Sequence, residues 1–497
     1  MSSCRDASHI FARMGHLVVS IRGSHGRSDV SFDRRLIAPM ILGALLNPVN
    51  SSIIAVSLVP IGVSFGAPTS QTVWLVSALY LATAIGQPVA GRLIDAYGPR
   101  KLFLAGSVLT GMAGLLGTVA PSLLILIGAR IVLGFGTCAG YPAAMYLIRS
   151  EANRTGIESP SGVLTALAVS GQTIAVIGPT LGGVLIGLGG WRATFAINIF
   201  LSIVGLILGA RRLPRMTQLW CDEVVTKEGG MDVSGILLFA GMLTALLLFL
   251  MNPTVDNWYL IVITVAAATG LVVRELHVAE PFLDLRLFGG NLPLLATYCR
   301  NLLAMTVTYT FLYGYSQWME DGRGLSAYGT GLVLIPLSLA AVIVSSTTGR
   351  RREVRGKLIV GAISQVFACA LLLFLGSDSA MWMLVAVAVV IGIPQGLNSL
   401  ANQNAVYYQA DPSRMGSSAG LLRTFTYLGA IIASAANGAF FGHRASTYGL
   451  HHLALFILVV AVMFFFVTVF DRSLGRIGRR ANSSKEQPPG DPRTVVV

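Results

Sequence analysis

The chain has 497 residues, of which 54% are hydrophobic and only 11% charged, with a mean hydropathy of +0.71. A soluble chain of this length needs far more polar surface, which excludes water as its solvent. The net charge of +13 would suit a nucleic-acid binder, but its placement excludes that class.

Residues 1–35 are basic and lack an apolar core followed by a small-residue cleavage site. They read as a disordered cytoplasmic tail or an overlong start, not as a signal peptide. A membrane span needs roughly 20 mostly apolar residues to cross a ~30 Å hydrocarbon layer. Such stretches fall near 36–60, 72–90, 101–119, 121–143, 161–188 and 192–210, an N-terminal set of six within 36–210. Residues 211–290 hold a charged cytoplasmic linker (Leu213 to Asp232) and two Leu-rich spans near 233–251 and 257–275. A second set of six fills 291–470, with spans near 293–318, 326–348, 357–376, 380–402, 415–440 and 452–470. Residues 471–497 form a polar C-terminal tail.

With the N-terminus cytoplasmic, 29 of the 35 Lys and Arg residues fall on the cytoplasmic side and three (Arg192, Arg323, Arg444) opposite. This positive-inside asymmetry puts both termini in the cytoplasm. Arg130, Arg300 and Arg423 lie within spans. A mid-bilayer arginine costs at least ~2.5 kcal/mol, so Arg130 and Arg423 are candidate functional residues, whereas Arg300 is placed to snorkel at the start of span 9. The five cysteines have no regular spacing, which argues against a disulfide framework or a metal site.

An internal repeat links the two sets of six. GRLIDAYGPRK (Gly91 to Lys101) follows span 2 and GRRREVRGK (Gly349 to Lys357) follows span 10. In each, an acid stands four residues after a glycine, with another glycine three further on: Gly91, Asp95, Gly98 against Gly349, Glu353, Gly356. Repeats of this kind are common in transporters.

The residues Gly91 to Lys101, Arg130 to Gly136 (RIVLGFG), Gly178 to Gly183 (GPTLGG), Trp191 to Phe200 (WRATFAINIF), Glu280 to Phe288 (EPFLDLRLF) and Gln317 with Gly329 to Pro336 occur in order on the expected spans. From about Leu36 to Phe470 the chain resembles the major facilitator superfamily, specifically its 14-span drug:proton antiporter branch. The resemblance implies an all-α membrane fold of 14 transmembrane helices, two six-helix bundles plus two linking spans, working by alternating access in the cell inner membrane. It implies gating roles for Gly91, Asp95, Gly98, Arg100 and Lys101, with Asp95 and Arg100 meeting the start of span 13. It implies export-linked bending or close packing at Gly178, Pro179, Gly182 and Gly183. Asp411-Pro412-Ser413 is itself a plausible helix start at the same surface, where a carboxylate is favoured.

Polar and aromatic residues within spans are candidates for lining the substrate path: Asn47, Asn50, Tyr80, Arg130, Gln172, Asn198, Tyr309, Tyr313, Gln317, Asn398, Asn402 and Arg423. For each alone, interhelical hydrogen bonding is the plainer alternative. Many members of the branch carry an Asp in span 1, where this chain has Asn47 and Asn50. All 22 acidic residues lie in tails, loops or span ends, so the interior charge reads as positive. Asp95, Asp232, Glu320 and Asp321 are the remaining candidates for carrying protons near the two surfaces.

The expected activity is proton-coupled efflux of drugs or other small amphipathic compounds, with uptake of an organic anion or metabolite as the alternative. The interior charge favours neutral, amphipathic or anionic cargo over permanent cations. The expected partners are a small-molecule substrate, protons and the lipid bilayer, with an accessory export protein as a further partner and the chain itself monomeric. No cofactor and no nucleic acid are expected. Neither a Gly-x4-Gly-Lys-Ser/Thr loop nor a cluster of His with acids is present, which argues against a nucleotide-driven pump and a membrane enzyme.

Overall fold

The computed structural model describes residues 32–476 apart from 68, 73, 157–160, 216–231, 252–253, 279–281, 283–290, 326, 350–352 and 442–444. Most of both tails, most of the 213–232 linker and most of the Glu280–Phe288 motif therefore lie outside the described residues.

The described residues are helical almost throughout and contain no strand. The long helices are α1 (Ile37–Phe65), α2 (Trp74–Tyr97), α3 (Pro99–Val119), α4 (Leu123–Thr155), α5 (161–188) and α6 (191–212). Next come α7 (Val233–Met251), α8 (Trp258–His277), α9 (Leu292–Gln317), α10 (Ala327–Thr348) and α11 (Val354–Leu372). The series ends with α12 (Met381–Gln409), α13 (Met415–Phe441) and α14 (Thr447–Phe470). Twelve helical segments among the described residues are long and apolar enough to cross a membrane by length and composition. Two further helices stand at the other expected spans, the shorter apolar segment of α5 at Ser161–Ile174 and α9, which carries Arg300 and Asn301.

Two breaks have local causes. α4 is interrupted by a turn at Cys138 and Ala139, between Leu123–Thr137 and Gly140–Thr155. Pro142 has no N–H for the Cys138 carbonyl and its ring crowds that position, which stops a straight helix there. α5 and α6 are separated at Gly189 and Gly190, the latter at φ +67°, ψ −172°. That backbone region is essentially closed to residues with a Cβ.

Small residues set the helix spacings. Gly178 and Gly182 of α5 press against Ser52, Ile53 and Val56 of α1, and a Cβ on Gly182 would lie 2.6 Å from the Val56 side chain. In the second set, Gly392 and Gly396 of α12 meet the α10 backbone at Leu337 and Ala341, and the Ser345 hydroxyl donates to the Gly396 carbonyl at 3.0 Å. Without a hydrophobic drive between helices in lipid, such close backbone approach supplies the packing energy.

The first and second sets meet at the end of the molecule where α1 begins. There a buried cluster joins Leu36, Met40, Tyr141, Met145 and Ile148 to Tyr298, Val406, Tyr407, Met415 and Ala419. The α7–α8 hairpin lies beside the junction. Phe239 and Leu243 of α7, with Leu271 of α8, pack with Ala84 and Ile85 of α2 and Tyr427 of α13.

Arg300 differs from its expected placement. It is fully buried and ion-paired with Asp471, just past α14, rather than snorkelling to an interface. Its partner is 171 residues away in sequence, so the neutralising charge comes from the tertiary fold.

Candidate functional site

α2 and α13 cross backbone to backbone. A Cβ on Gly416 would fall 2.6 Å from the Gly91 carbonyl oxygen, and one on Gly420 would collide with the Gln87 carbonyl. Only glycine permits this approach, which brings the Asp95 carboxylate onto the first residues of α13. The amides of Gly416 and Ser417 each donate to Asp95 at 2.8 Å, and the Ser417 hydroxyl donates at 2.6 Å. These are amides a helix start cannot pair internally, and its dipole favours an anion there. Further along, the Thr424 hydroxyl donates to the Ala84 carbonyl at 3.1 Å, and the Tyr427 ring packs 5.7 Å from that of Tyr80. Residues 416, 420, 424 and 427 thus form one face of α13, opposed by 91, 87, 84 and 80 of α2.

Beyond this seam lies a polar and aromatic interior shared by both sets. The Tyr427 hydroxyl donates to Asn47 Oδ1 at 2.8 Å, and the Asn47 amide nitrogen donates to Thr83 and Thr137, each at 3.2 Å. Asn50 donates to Asn198 Oδ1 at 2.7 Å. The Arg130 Nε donates to the Leu75 carbonyl at 2.9 Å and Nη1 reaches the Asn50 carbonyl at 3.5 Å, while Nη2 has no partner. Arg130 is only 2% exposed. Tyr309 and Tyr313 pack ring to ring at 5.8 Å. The Arg423 guanidinium stacks 3.9 Å from the centre of the Tyr141 ring. Gln395 of α12 donates to Gln172 of α5 at 3.1 Å, a further link between the sets.

The superfamily description "Major Facilitator Superfamily" matches residues 40–434. The chain belongs to the major facilitator superfamily. An uncharacterized MFS-type transporter, YwoD, of Bacillus subtilis (strain 168) is 30% identical over 84% of this chain and 92% of its own length. The lincomycin resistance protein of Streptomyces lincolnensis is 27% identical over 78% of this chain and 79% of its own. The crystal structure of the human organic anion transporter MFSD10 superposes with a TM-score of 0.62 at 13% identity, covering 88% of this chain and 99% of that one. The last likeness is one of fold.

In this major facilitator protein the expected residues divide into three groups. Gly91 and Asp95 occupy the α2–α13 crossing, while Asn47, Asn50, Tyr80, Arg130, Asn198, Tyr309 and Tyr313 gather in the interior. Gln172 and Arg423 bridge the sets at its rim. Others go elsewhere. Arg100 donates to the Ala210 carbonyl at 2.8 Å, closing the end of α6 instead of joining Asp95. Lys101 is exposed, and Gly98 supplies the φ of +87° that starts α3. Gly183 faces open space, the Pro179 side chain lies outside the described residues, and the helix runs unbroken from 161 to 188. Gln317 is exposed at the end of α9. Asn398 donates to Gln365 of α11 at 2.8 Å, and Asn402 is fully buried with neither amide atom partnered.

Sequence reasoning missed Gln87, Thr424 and Tyr427 of the seam, and Thr83, Thr137 and Tyr141 around it. The four-residue spacing of Gly416, Gly420 and Thr424 was the available signal, a stripe of small residues on one helical face.

Acidic groups outside the spans have distinct environments. Burial alone would raise the Asp232 carboxyl, but the Gly235 amide and the Arg274 guanidinium, 2.8 Å away, outweigh it and hold it below the usual carboxylate range. The Ser413 hydroxyl and amide keep Asp411 low in the same way. Burial and the adjacent Asp321 push Glu320 upward. The described interior itself holds cations, amides and phenols, which can bind by hydrogen bonding, stacking and charge but offer no carboxylate to exchange a proton.

Proposed function

We propose that this protein is a secondary active exporter of drugs or other small amphipathic compounds, driven by protons and working by alternating access. The α2–α13 seam supports this reading most directly. It joins the two repeated sets through one carboxylate, one helix end and a run of glycines, all contacts that can part without breaking any helix. In this reading 36–210 and 291–470 move as the two units, 211–290 links them, and both termini lie in the cytoplasm of a cell inner membrane. Asp95 gives the proton a point of action: a neutral carboxyl would lose the attraction to the α13 dipole, typically about 0.3–1 kcal/mol, and weaken three charge-assisted hydrogen bonds. Asn47, Tyr80, Arg130, Tyr309, Tyr313 and Tyr427 would line the path.

The test is a drug and metabolite susceptibility panel in a pump-deficient host, with efflux followed as the pH gradient is collapsed. Resistance that disappears in Arg130→Ala at equal membrane abundance, together with efflux that stops with the gradient, supports the reading. Unchanged susceptibility across the panel contradicts export, and gradient-independent efflux contradicts proton coupling. The cationic interior favours one second reading, uptake or facilitated transport of an organic anion. Proteoliposomes loaded on one side separate the two by direction.

A further inference from the structure

We infer that the α7–α8 hairpin is a strap laid across the α2–α13 seam, holding the two sets together at their closed end. This goes beyond a linking role, and it rests on the two sets parting during transport.

Most of the hairpin is built to face lipid. Among the described residues α8 is the least buried of the twelve long apolar segments, and its Val262 and Val265 are exposed. Leu237 of α7 is exposed too. Against that background four side chains are buried: Phe239 and Leu243 of α7, Leu271 of α8, and Phe282 just beyond it. Phe239 and Leu243 stand one turn apart, so they share one face of α7. That face meets Ala84 and Ile85 of α2 and Tyr427 of α13 in a single buried cluster. Ala84 and Tyr427 are themselves seam residues. The Ala84 carbonyl accepts from the Thr424 hydroxyl of α13, and the Tyr427 ring packs on that of Tyr80 of α2. α7 therefore lies over the line where the two sets touch, not on one set alone.

A helix that touches both sides of a contact cannot keep both grips when the contact parts. The full packing of α7 is present only with the seam closed, and in lipid such packing is what holds helices together. Tyr427 also donates to Asn47, so the strap bears on a residue of the interior. The hairpin can carry this load as one piece. At its foot Asp232 accepts from the Gly235 amide at 2.9 Å and from the Arg274 guanidinium at 2.8 Å, which ties the start of α7 to the end of α8. The Phe282 ring, past α8, packs 5.7 Å from that of Phe239. The chain enters the hairpin from the first set and leaves it for the second, so each end is tethered to a different moving part.

The test reads how often the seam opens. Thr424 is buried in the seam. Thr424→Cys is made in a background freed of native thiols, and its rate of reaction with N-ethylmaleimide is followed in nanodiscs. Phe239→Ala with Leu243→Ala is expected to raise that rate about five-fold or more, because packing is lost only from the closed arrangement. Val262→Ala with Val265→Ala, on the lipid-exposed part of the same hairpin, is expected to leave it unchanged. A chain keeping only native Cys369, buried inside the second set, is expected to stay unreactive in every variant. Should the α7 pair fail to fold, Leu271→Ala is expected to raise the Thr424→Cys rate in the same direction. An equal rise in the α8 pair or a parallel rise at Cys369 would overturn the strap. So would an unchanged rate in the folded α7 pair; if Asp95→Asn still raises the rate, the strap alone falls, and if no variant does, the parting of the sets falls with it. A rise in the α7 pair without one in Asp95→Asn sinks the Asp95 gate and leaves the strap standing.

Discussion

Asp95 sits where two physical preferences coincide: unpaired amides at a helix start, and a dipole that favours negative charge. Three donors from Gly416 and Ser417 hold it. Hydrogen bonds to a charged acceptor contribute about 1.5–3 kcal/mol each, so Asp95→Asn should lower the efflux rate about ten-fold or more while membrane abundance stays unchanged. Efflux assayed against immunoblot signal checks this, and a normal rate would refute a gating role. Tyr427→Phe removes one neutral hydrogen bond to Asn47, for about 1 kcal/mol, and should change transport only a few-fold in the same assay. The Asp95 contact was legible because the acid and the Asp411-Pro412-Ser413 helix start lay on the same surface. Arg100 was not: nothing in its own segment shows that the free carbonyls at the end of α6 stand nearer than Asp95 does. Arg300 misled for a related reason, its neutralising acid being in a different repeat element at the far end of the chain.

At the scale of helices, the α2–α13 crossing depends on an absence of side chains. Gly420→Val should keep the seam from closing, because its side chain would occupy the place of the Gln87 backbone. Overpacking of this kind typically costs about 1–3 kcal/mol. Cross-linking between cysteines placed at Ala84 and Thr424, which face each other in the seam and leave Asp95 in place, should fall sharply in Gly420→Val, and undiminished cross-linking would contradict the packing argument. The α7–α8 hairpin has its own fastening at Asp232 and Arg274. A carboxylate held below its ordinary range stabilises the fold above that range, and loses its contribution as pH falls through the lowered value. Amide protection across 233–277, corrected for the intrinsic pH dependence of exchange, should therefore fall below about pH 4 and change little between pH 6 and pH 8. Protection already falling at pH 6 would contradict the assignment. Helix order and most of the helices were legible from apolar run length, because lipid forces every span to be helical and about as long as the bilayer is thick. The break in α4 at Pro142 was not, since apolar length carries span 4 straight through 121–143. The opposing faces were not legible either, because small-residue stripes say that a helix packs closely without naming its partner.

For the whole molecule, the arrangement is two repeated sets closed against each other at one end, with an aromatic and cationic interior beyond the closure. The buried cluster from Leu36 to Ala419 and the Asp95 contact hold that end together. The interior's sign was readable in the sequence from the Asn47 and Asn50 substitutions and the absence of mid-span acids, whereas its tyrosine core required Tyr427, drawn in by tertiary packing. The most direct test places spin labels at the exposed positions Lys101 and Arg355, one beside each set's loop, in a background freed of native cysteines. Their distance distribution is then measured by pulsed electron paramagnetic resonance, with Asp95 intact and in Asp95→Asn. A reversible closure between the sets requires a short distance in the first and a shift to a longer population in the second. A single distribution, unchanged by the substitution and by pH, would contradict it.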